Sequence, residues 1–250
     1  MPDHVERAGV PLAYVRSPGR GPGVVFLGGF RSDMGGTKAM ALEAWARARG
    51  RAFLRLDYAG HGASGGAFED GTIGSWRDDA LAVIEAAAEG PQVLVGSSMG
   101  GWIALLIARD RPDLVAGLVT VAAAPDFTED GYWAGFSEAE RGALMAEGRV
   151  AVPSEYGAPY VITRRLIEAG RGVLVLRSPL HLPMPVRFLQ GTDDADVPAA
   201  WATRLLDHAT GPDMTLTIAK GADHRFSDPD RLAMIERAVE EVLARAHRAS

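Results

Sequence analysis

Gln92-Val93-Leu94-Val95-Gly96-Ser97-Ser98-Met99-Gly100-Gly101-Trp102 is the stretch from which the rest of the chain is read. An aliphatic run leads into a Gly-x-Ser-x-Gly pentapeptide, Gly96 to Gly100, and a helical pattern follows at once. A serine at the crest of such a strand-to-helix turn sits in a strained backbone conformation with its hydroxyl exposed. Glycines two before and two after remove side chains that would collide there. Ser98 is therefore the candidate nucleophile, and Ser97 is expected to point elsewhere. Without a strand and a helix on either side, the same five residues would be no more than a Ser/Gly-rich turn.

Moving outward, apolar runs alternate with helical patterns. Val10 to Arg16, Val24 to Leu27, Ala52 to Asp57, Leu114 to Val121, Val186 to Leu189 and Met214 to Ile218 read as strands, several of them apolar enough to be buried on both faces. Lys38 to Arg49, Ser75 to Ala88, the segment from the pentapeptide to Arg109, Ala199 to Leu206 and Arg231 to Arg245 read as helices. This alternation predicts an α/β fold with a mostly parallel sheet covered on both faces. It breaks between residues 124 and 183. That segment is richer in glycine and aromatics (Phe127, Tyr132, Trp133, Phe136, Tyr156, Tyr160) and carries helical patterns over Ser137 to Glu147 and Tyr160 to Ala169. It reads as a cap inserted into a single domain of residues 1–250.

Composition narrows the chemistry. A chain of 250 residues suffices for one large α/β core. A net charge of −6 with no basic run argues against nucleic acid as a partner. The absence of cysteine excludes disulfides, thiolate metal sites and a thiol nucleophile. No apolar stretch is long enough for stable membrane insertion, and the opening Met1-Pro2-Asp3-His4-Val5-Glu6-Arg7 resembles neither a secretory signal nor a transit peptide. A cytoplasmic location is therefore expected. Nothing in the sequence sets an oligomeric state.

A serine hydroxyl needs a base to accept its proton and a third group to orient that base. Among six histidines, His224 stands between the last strand and the last helix, placed to reach over the carboxyl edge of a sheet toward Ser98. His61 and His181 are alternative pocket residues, whereas His4, His208 and His247 lie at termini or a helix end. Gly191-Thr192-Asp193-Asp194-Ala195-Asp196-Val197-Pro198 supplies the acid. Asp194 fits the spacing, and Asp193 and Asp196 are expected to be solvated or to cap the next helix. Three clustered acids also suggest calcium, but Ala199 occupies the position where an EF-hand loop starting at Asp194 needs glycine. Phosphate-loop, His-Glu-x-x-His and dinucleotide motifs are absent, so no metal and no cofactor is expected.

Further stretches carry a family resemblance: Met34-Gly35-Gly36-Thr37-Lys38-Ala39, Leu56-Asp57-Tyr58-Ala59-Gly60-His61-Gly62, Gly71-Thr72-Ile73-Gly74-Ser75-Trp76-Arg77, Gly90 to Trp102, and Asp223-His224-Arg225. With them the chain resembles α/β-hydrolases over essentially its whole length. More narrowly it resembles their mitochondrial palmitoyl-protein thioesterase branch, also described as acyl-glucuronide esterases. The resemblance implies an α/β-hydrolase fold with a small helical cap before the acid-bearing strand. It also implies serine hydrolysis of acyl thioesters or carboxylic esters, with Ser98, Asp194 and His224 as a triad in the family's chain order. The backbone N–H of Met99 is one expected oxyanion donor, and Phe30 is the other, since Gly28-Gly29-Phe30 stands where the family carries His-Gly-x. Gly29, Arg31, Trp102, Phe127, Trp133 and Phe136 are expected to line the pocket for a small-molecule or acylated-protein substrate. A binding protein that has lost catalysis on the same fold is the alternative.

Overall fold

The computed structural model describes residues 1–153 and 159–249, with side chains through Ala246; Tyr156 and the His247 side chain lie outside the described residues. Eight strands form the central sheet. They are β1 (Asp3–Arg7), β2 (Val10–Ser17), β3 (Arg20–Leu27), β4 (Arg51–Leu56), β5 (Gln92–Ser97), β6 (Val115–Val121), β7 (Val186–Gly191) and β8 (Met214–Ala219). Their spatial order is β1-β2-β4-β3-β5-β6-β7-β8. The first hairpin and the β2–β4 pair are antiparallel, and every pairing from β4 to β8 is parallel.

Alternation along the parallel strands sends side chains into two cores. Val25, Leu27, Leu54, Leu94 and Leu118 pack under α2 (Ile73–Ala87) and α3 (Met99–Asp110). Val24, Phe26, Phe53, Val93, Val95 and Val119 pack under α1 (Thr37–Ala48) and α7 (Pro229–Ala249). With both faces covered, the strands read as continuous apolar runs. The mostly parallel sheet with helices on both faces is the architecture expected from the alternation.

Register brings the functional loops to one rim. Leu27 pairs with Gly96, Ser97 with Val121, Val121 with Leu189, and Gly191 with Ala219, so these strands end together. The chain leaving β3, β5, β7 and β8 therefore opens onto a common edge, where ligands of open α/β sheets bind.

Between β6 and β7 the chain leaves the sheet. A π-helical segment (Phe127–Trp133) precedes α4 (Glu138–Glu147), α5 (Arg164–Gly170) follows, and α6 (Ala199–His208) comes after β7. The helix expected over Tyr160 to Ala169 is shorter than its pattern suggests. Tyr160–Thr163 is a strand paired antiparallel with Arg149–Val152, and the helix begins only at Arg164. The aromatic and β-branched run Tyr160-Val161-Ile162-Thr163 favours extended backbone, and the Thr163 hydroxyl caps the helix by accepting from Leu166 N at 3.1 Å. Asp3–Arg7, which lacks an apolar run, is a strand because it pairs along β2.

Candidate active site

Ser98 is the hinge between β5 and α3, with φ 55° and ψ −120°. That left-handed backbone is costly for a residue with a Cβ and persists only where the surroundings enforce it. Here they do. Ser98 N donates to Val121 O at 2.9 Å, and Ser98 O accepts from Gly101 N at 2.9 Å. The turn is tight enough that a Cβ on Gly96 would lie 2.3 Å from Gly100 O, and one on Gly100 would lie 2.1 Å from Leu27 O. Ser97 is buried and Ser98 half-exposed, as the pentapeptide predicts.

His224, half-buried in the loop between β8 and α7, brings Nε2 to 3.1 Å from Ser98 Oγ. Its Nδ1 lies 3.0 and 2.9 Å from the two oxygens of Asp194. The buried Asp194 carboxylate also accepts from Gln190 Nε2 at 2.9 Å, Asp196 N at 3.0 Å and Val197 N at 2.7 Å. An acceptor surrounded in this way makes Nδ1 the donor, which leaves Nε2 as acceptor for the Ser98 proton. Asp194, Asp196 and His224 also bring potential metal ligands within 4.8 Å of one another. A cation there would have to displace donors that already occupy both Asp194 oxygens. Asp193 bonds Thr192 Oγ1 at 2.8 Å, away from the imidazole.

The loop after β3 faces Ser98 from the other side. A Cβ on Gly29 would lie 3.3 Å from Ser98 Cβ, so a side chain here would crowd Ser98 and glycine lets the loop come close. Tyr58 Oη donates to Gly28 O at 3.2 Å, and Asp57 Oδ1 accepts from Met34 N at 2.7 Å. Burial raises the Asp57 pKa, against the pull of the Ala63 and Met34 N–H groups. Phe30 N–H is carried by this loop. Met99 N–H, first in α3, is one of the helix's N-terminal donors without an intrahelical acceptor.

A cavity of about 780 Å³ opens over these groups. Gly29, Phe30, Arg31, Met99 and Phe127 line it, together with Ser98 and His224. Trp102, Trp133 and Phe136 do not. Trp102 is wholly buried beneath the rim, where its Nε1 donates to Val173 O at 3.2 Å. Phe136 stacks on Tyr132, and Trp133 lies under the guanidinium groups of Arg141 and Arg171. Tyr132, Tyr160, Val152, Pro153, Trp201 and Lys38 line the wall in their place. Arg31, at φ 56°, lays its guanidinium 4.2 Å from the Phe68 ring centroid. Lys38 has its pKa pushed down to about 8, chiefly by burial, with Asp223 and Asp194 opposing the shift. Its place in Met34-Gly35-Gly36-Thr37-Lys38 was the only sequence signal for its presence here. His61 lies outside the wall, boxed in by Tyr58, Phe68 and Trp76, and burial lowers its pKa to about 4. His181 is exposed and bonds Thr210 Oγ1 at 3.2 Å.

Comparisons with known proteins show what the chain as a whole is similar to. The family model described as serine aminopeptidase, S33, matches residues 22–155. The chain is 35% identical to mitochondrial palmitoyl-protein thioesterase ABHD10 of Mus musculus, over 93% of this chain and 78% of that protein. A solved, provisionally assigned hydrolase from Agrobacterium vitis S4 is 39% identical, with a TM-score of 0.91 over 97% of this chain and 98% of that one. The solved mouse α/β-hydrolase domain-containing protein 10 is 32% identical, with a TM-score of 0.90 over 98% of each chain.

Proposed function

Since the chain belongs to the α/β-hydrolase family whose model is described as serine aminopeptidase, S33, we propose that this ester or thioester hydrolase works through an acyl-Ser98 intermediate. The reading rests above all on one observation, the 3.1 Å contact from Ser98 Oγ to an imidazole whose far nitrogen meets a buried carboxylate. Ser98 Oγ attacks the substrate carbonyl carbon as its proton passes to His224 Nε2. Asp194 holds the ring in the tautomer that can accept it. The negative charge gathering on the carbonyl oxygen meets the backbone N–H groups of Met99 and Phe30. Collapse of the tetrahedral adduct breaks the bond to the leaving group, which takes the proton from His224. Water, deprotonated by the same imidazole, then cleaves the acyl-serine ester.

Acyl thioesters, with palmitoylated protein among them, are the substrates this reading favours. A thiol has a pKa of about 8.5, so a thiolate leaves with little acid assistance, unlike an amine. The relatives named palmitoyl-protein thioesterase point to the same class. The described residues between 124 and 183 act as the cap that covers the acyl group, with Phe127, Tyr132 and Tyr160 on the cavity wall. No helix among the described residues is long and apolar enough to cross a membrane. A cytoplasmic location is part of this reading, although the mammalian relatives are named mitochondrial, and fractionation of cells expressing the tagged chain tests it.

Labelling with a fluorophosphonate, combined with turnover of palmitoyl-thioester, p-nitrophenyl-ester and aminoacyl-anilide substrates, tests the reading. Wild type should be labelled and should hydrolyse the thioester and ester, and Ser98→Ala should do neither. A folded wild type that takes no label and turns over no ester or thioester would make this a binding protein instead.

A further inference from the structure

Lys38 lies in the first turn of α1 and shares the cavity wall with Ser98 and His224. Its Nζ donates to the backbone carbonyl of Arg225, the neighbour of His224 and 187 positions further along the chain. The loop that carries His224 has other anchors as well, among them Asp194 on the His224 ring and the buried Phe226 side chain. Gly221 N donates to Thr192 Oγ1 at 2.8 Å, and Ala222 O accepts from Asp193 N at 3.0 Å, both before the histidine. Phe226 N donates to Asp223 Oδ1 at 3.0 Å, within the loop itself. Lys38 ties the loop to α1 at the residue that follows His224.

We propose that Lys38 is a positioning residue: from α1 it holds the Arg225 carbonyl and so keeps the His224 imidazole within hydrogen-bond reach of Ser98. Burial disfavours the ammonium here, and its charged neighbours divide. Asp223 on the same loop and Asp194 on the acid loop favour it, while Arg225 opposes it. Half-buried on the cavity wall, the ammonium meets the Arg225 carbonyl. The consequence is kinetic, because displacing a base by about 1 Å costs on the order of a hundredfold in rate.

The inference rests on Ser98 and His224 acting as proposed above, and the test separates the two. The measured quantity is kcat on p-nitrophenyl butyrate per site titrated with fluorophosphonate, alongside KM and the melting temperature. Lys38→Met should lower kcat per titrated site by about tenfold or more while KM changes by no more than about twofold, and Lys38→Arg should recover part of the loss. The chain has no cysteine of its own, so Lys38→Cys can be alkylated at that thiol alone. Bromoethylamine rebuilds an ammonium at nearly lysine length and should restore kcat; iodoacetamide adds a neutral amide and should not. If Lys38→Met does not fold, the two alkylated forms decide the matter. Wild-type kcat per titrated site in Lys38→Met, or equal kcat in the two alkylated forms, overturns the positioning role. An unlabelled wild type overturns that role and the serine mechanism together.

Discussion

The rim of the sheet and the segment inserted above it are held in place by different means. At the rim, Ser98 directly follows β5, while Asp194 and His224 sit on the loops that leave β7 and β8. Parallel pairing sets where those strands end, and the two cores beneath them are closely packed. In the insertion, Asp126 accepts from Val175 N and Leu176 N at 2.8 and 3.0 Å, and Asp130 bridges Arg177 to Arg204 of α6. Phe30 is the meeting point, its ring touching Phe68 and Trp76 below and Phe127, Tyr132 and Tyr160 above. Geometry that the chemistry needs thus inherits the rigidity of the sheet. The cavity wall above leans on aromatic packing and a few polar clasps. Changes at the rim should therefore cost catalysis or folding, and changes in the insertion should mostly alter affinity and opening.

Ser98→Ala gives the sharpest test of this division. Its kcat should fall by roughly 10⁶-fold, as when the nucleophile of a serine protease is removed, with the melting temperature held, as followed by ester turnover and thermal unfolding. Asp194→Asn should follow at roughly 10⁴-fold in kcat, because an amide at this position favours the wrong imidazole tautomer. A loss confined to KM would mean that Asp194 belongs to the binding wall instead. Gly100→Ala tests how closely the elbow is packed. Its new Cβ would meet Leu27 O, which cannot yield without moving β3, so urea unfolding should show a loss of about 1–3 kcal/mol or more.

His61 supports the Phe68–Trp76 side of the junction and should make it sensitive to acid. Its pKa is about 4 in the folded protein, against 6.5 for a free imidazole. Between those values the unfolded chain binds a proton that the folded chain does not, so stability falls as pH drops through this window. The full loss below it amounts to about 3 kcal/mol. His61→Phe should flatten that limb of a denaturant midpoint measured against pH, and an unchanged slope would assign it to other groups. Arg204→Gln should have the smallest effect. The clasp to Asp130 is exposed at its Arg204 end, Asp130 keeps Arg177 as a second partner, and partly exposed pairs contribute about 1 kcal/mol or less. Faster amide exchange over Phe127–Trp133 with kcat held is the expected outcome, and a large loss of kcat would mean that the insertion is part of the chemistry.

The same contrast governs how much was legible in the sequence. Gly96 to Gly100 announces a turn because backbone sterics act over a few residues, and its flanking patterns name a strand and a helix. Asp194 and His224 were legible because each lies in a short loop after an apolar run. Tyr160–Thr163 was misread because four extended residues abut a capped helix, so their pattern merged with the helical period. The cavity wall was harder still. Trp102 and Phe136 are large and aromatic, as pocket residues often are, but nothing in their spacing tells a core face from a cavity face. Trp201 lines the wall from a helix whose sequence carries no such signal, and Lys38 was marked only by its place in Met34-Gly35-Gly36-Thr37-Lys38-Ala39.

Composition, hydrophobic period and turn chemistry by themselves determined an α/β chain with a serine elbow, an acid loop and a histidine loop in that order. These are local matters, decided by which backbone conformations a few neighbouring residues tolerate. Tertiary structure alone decided that Ser98 Oγ and His224 Nε2 lie 3.1 Å apart, which aromatics face the cavity, and that Lys38 reaches the Arg225 carbonyl. Contacts between groups 126 and 187 positions apart depend on strand register and packing across the whole sheet, and no window of sequence contains that information.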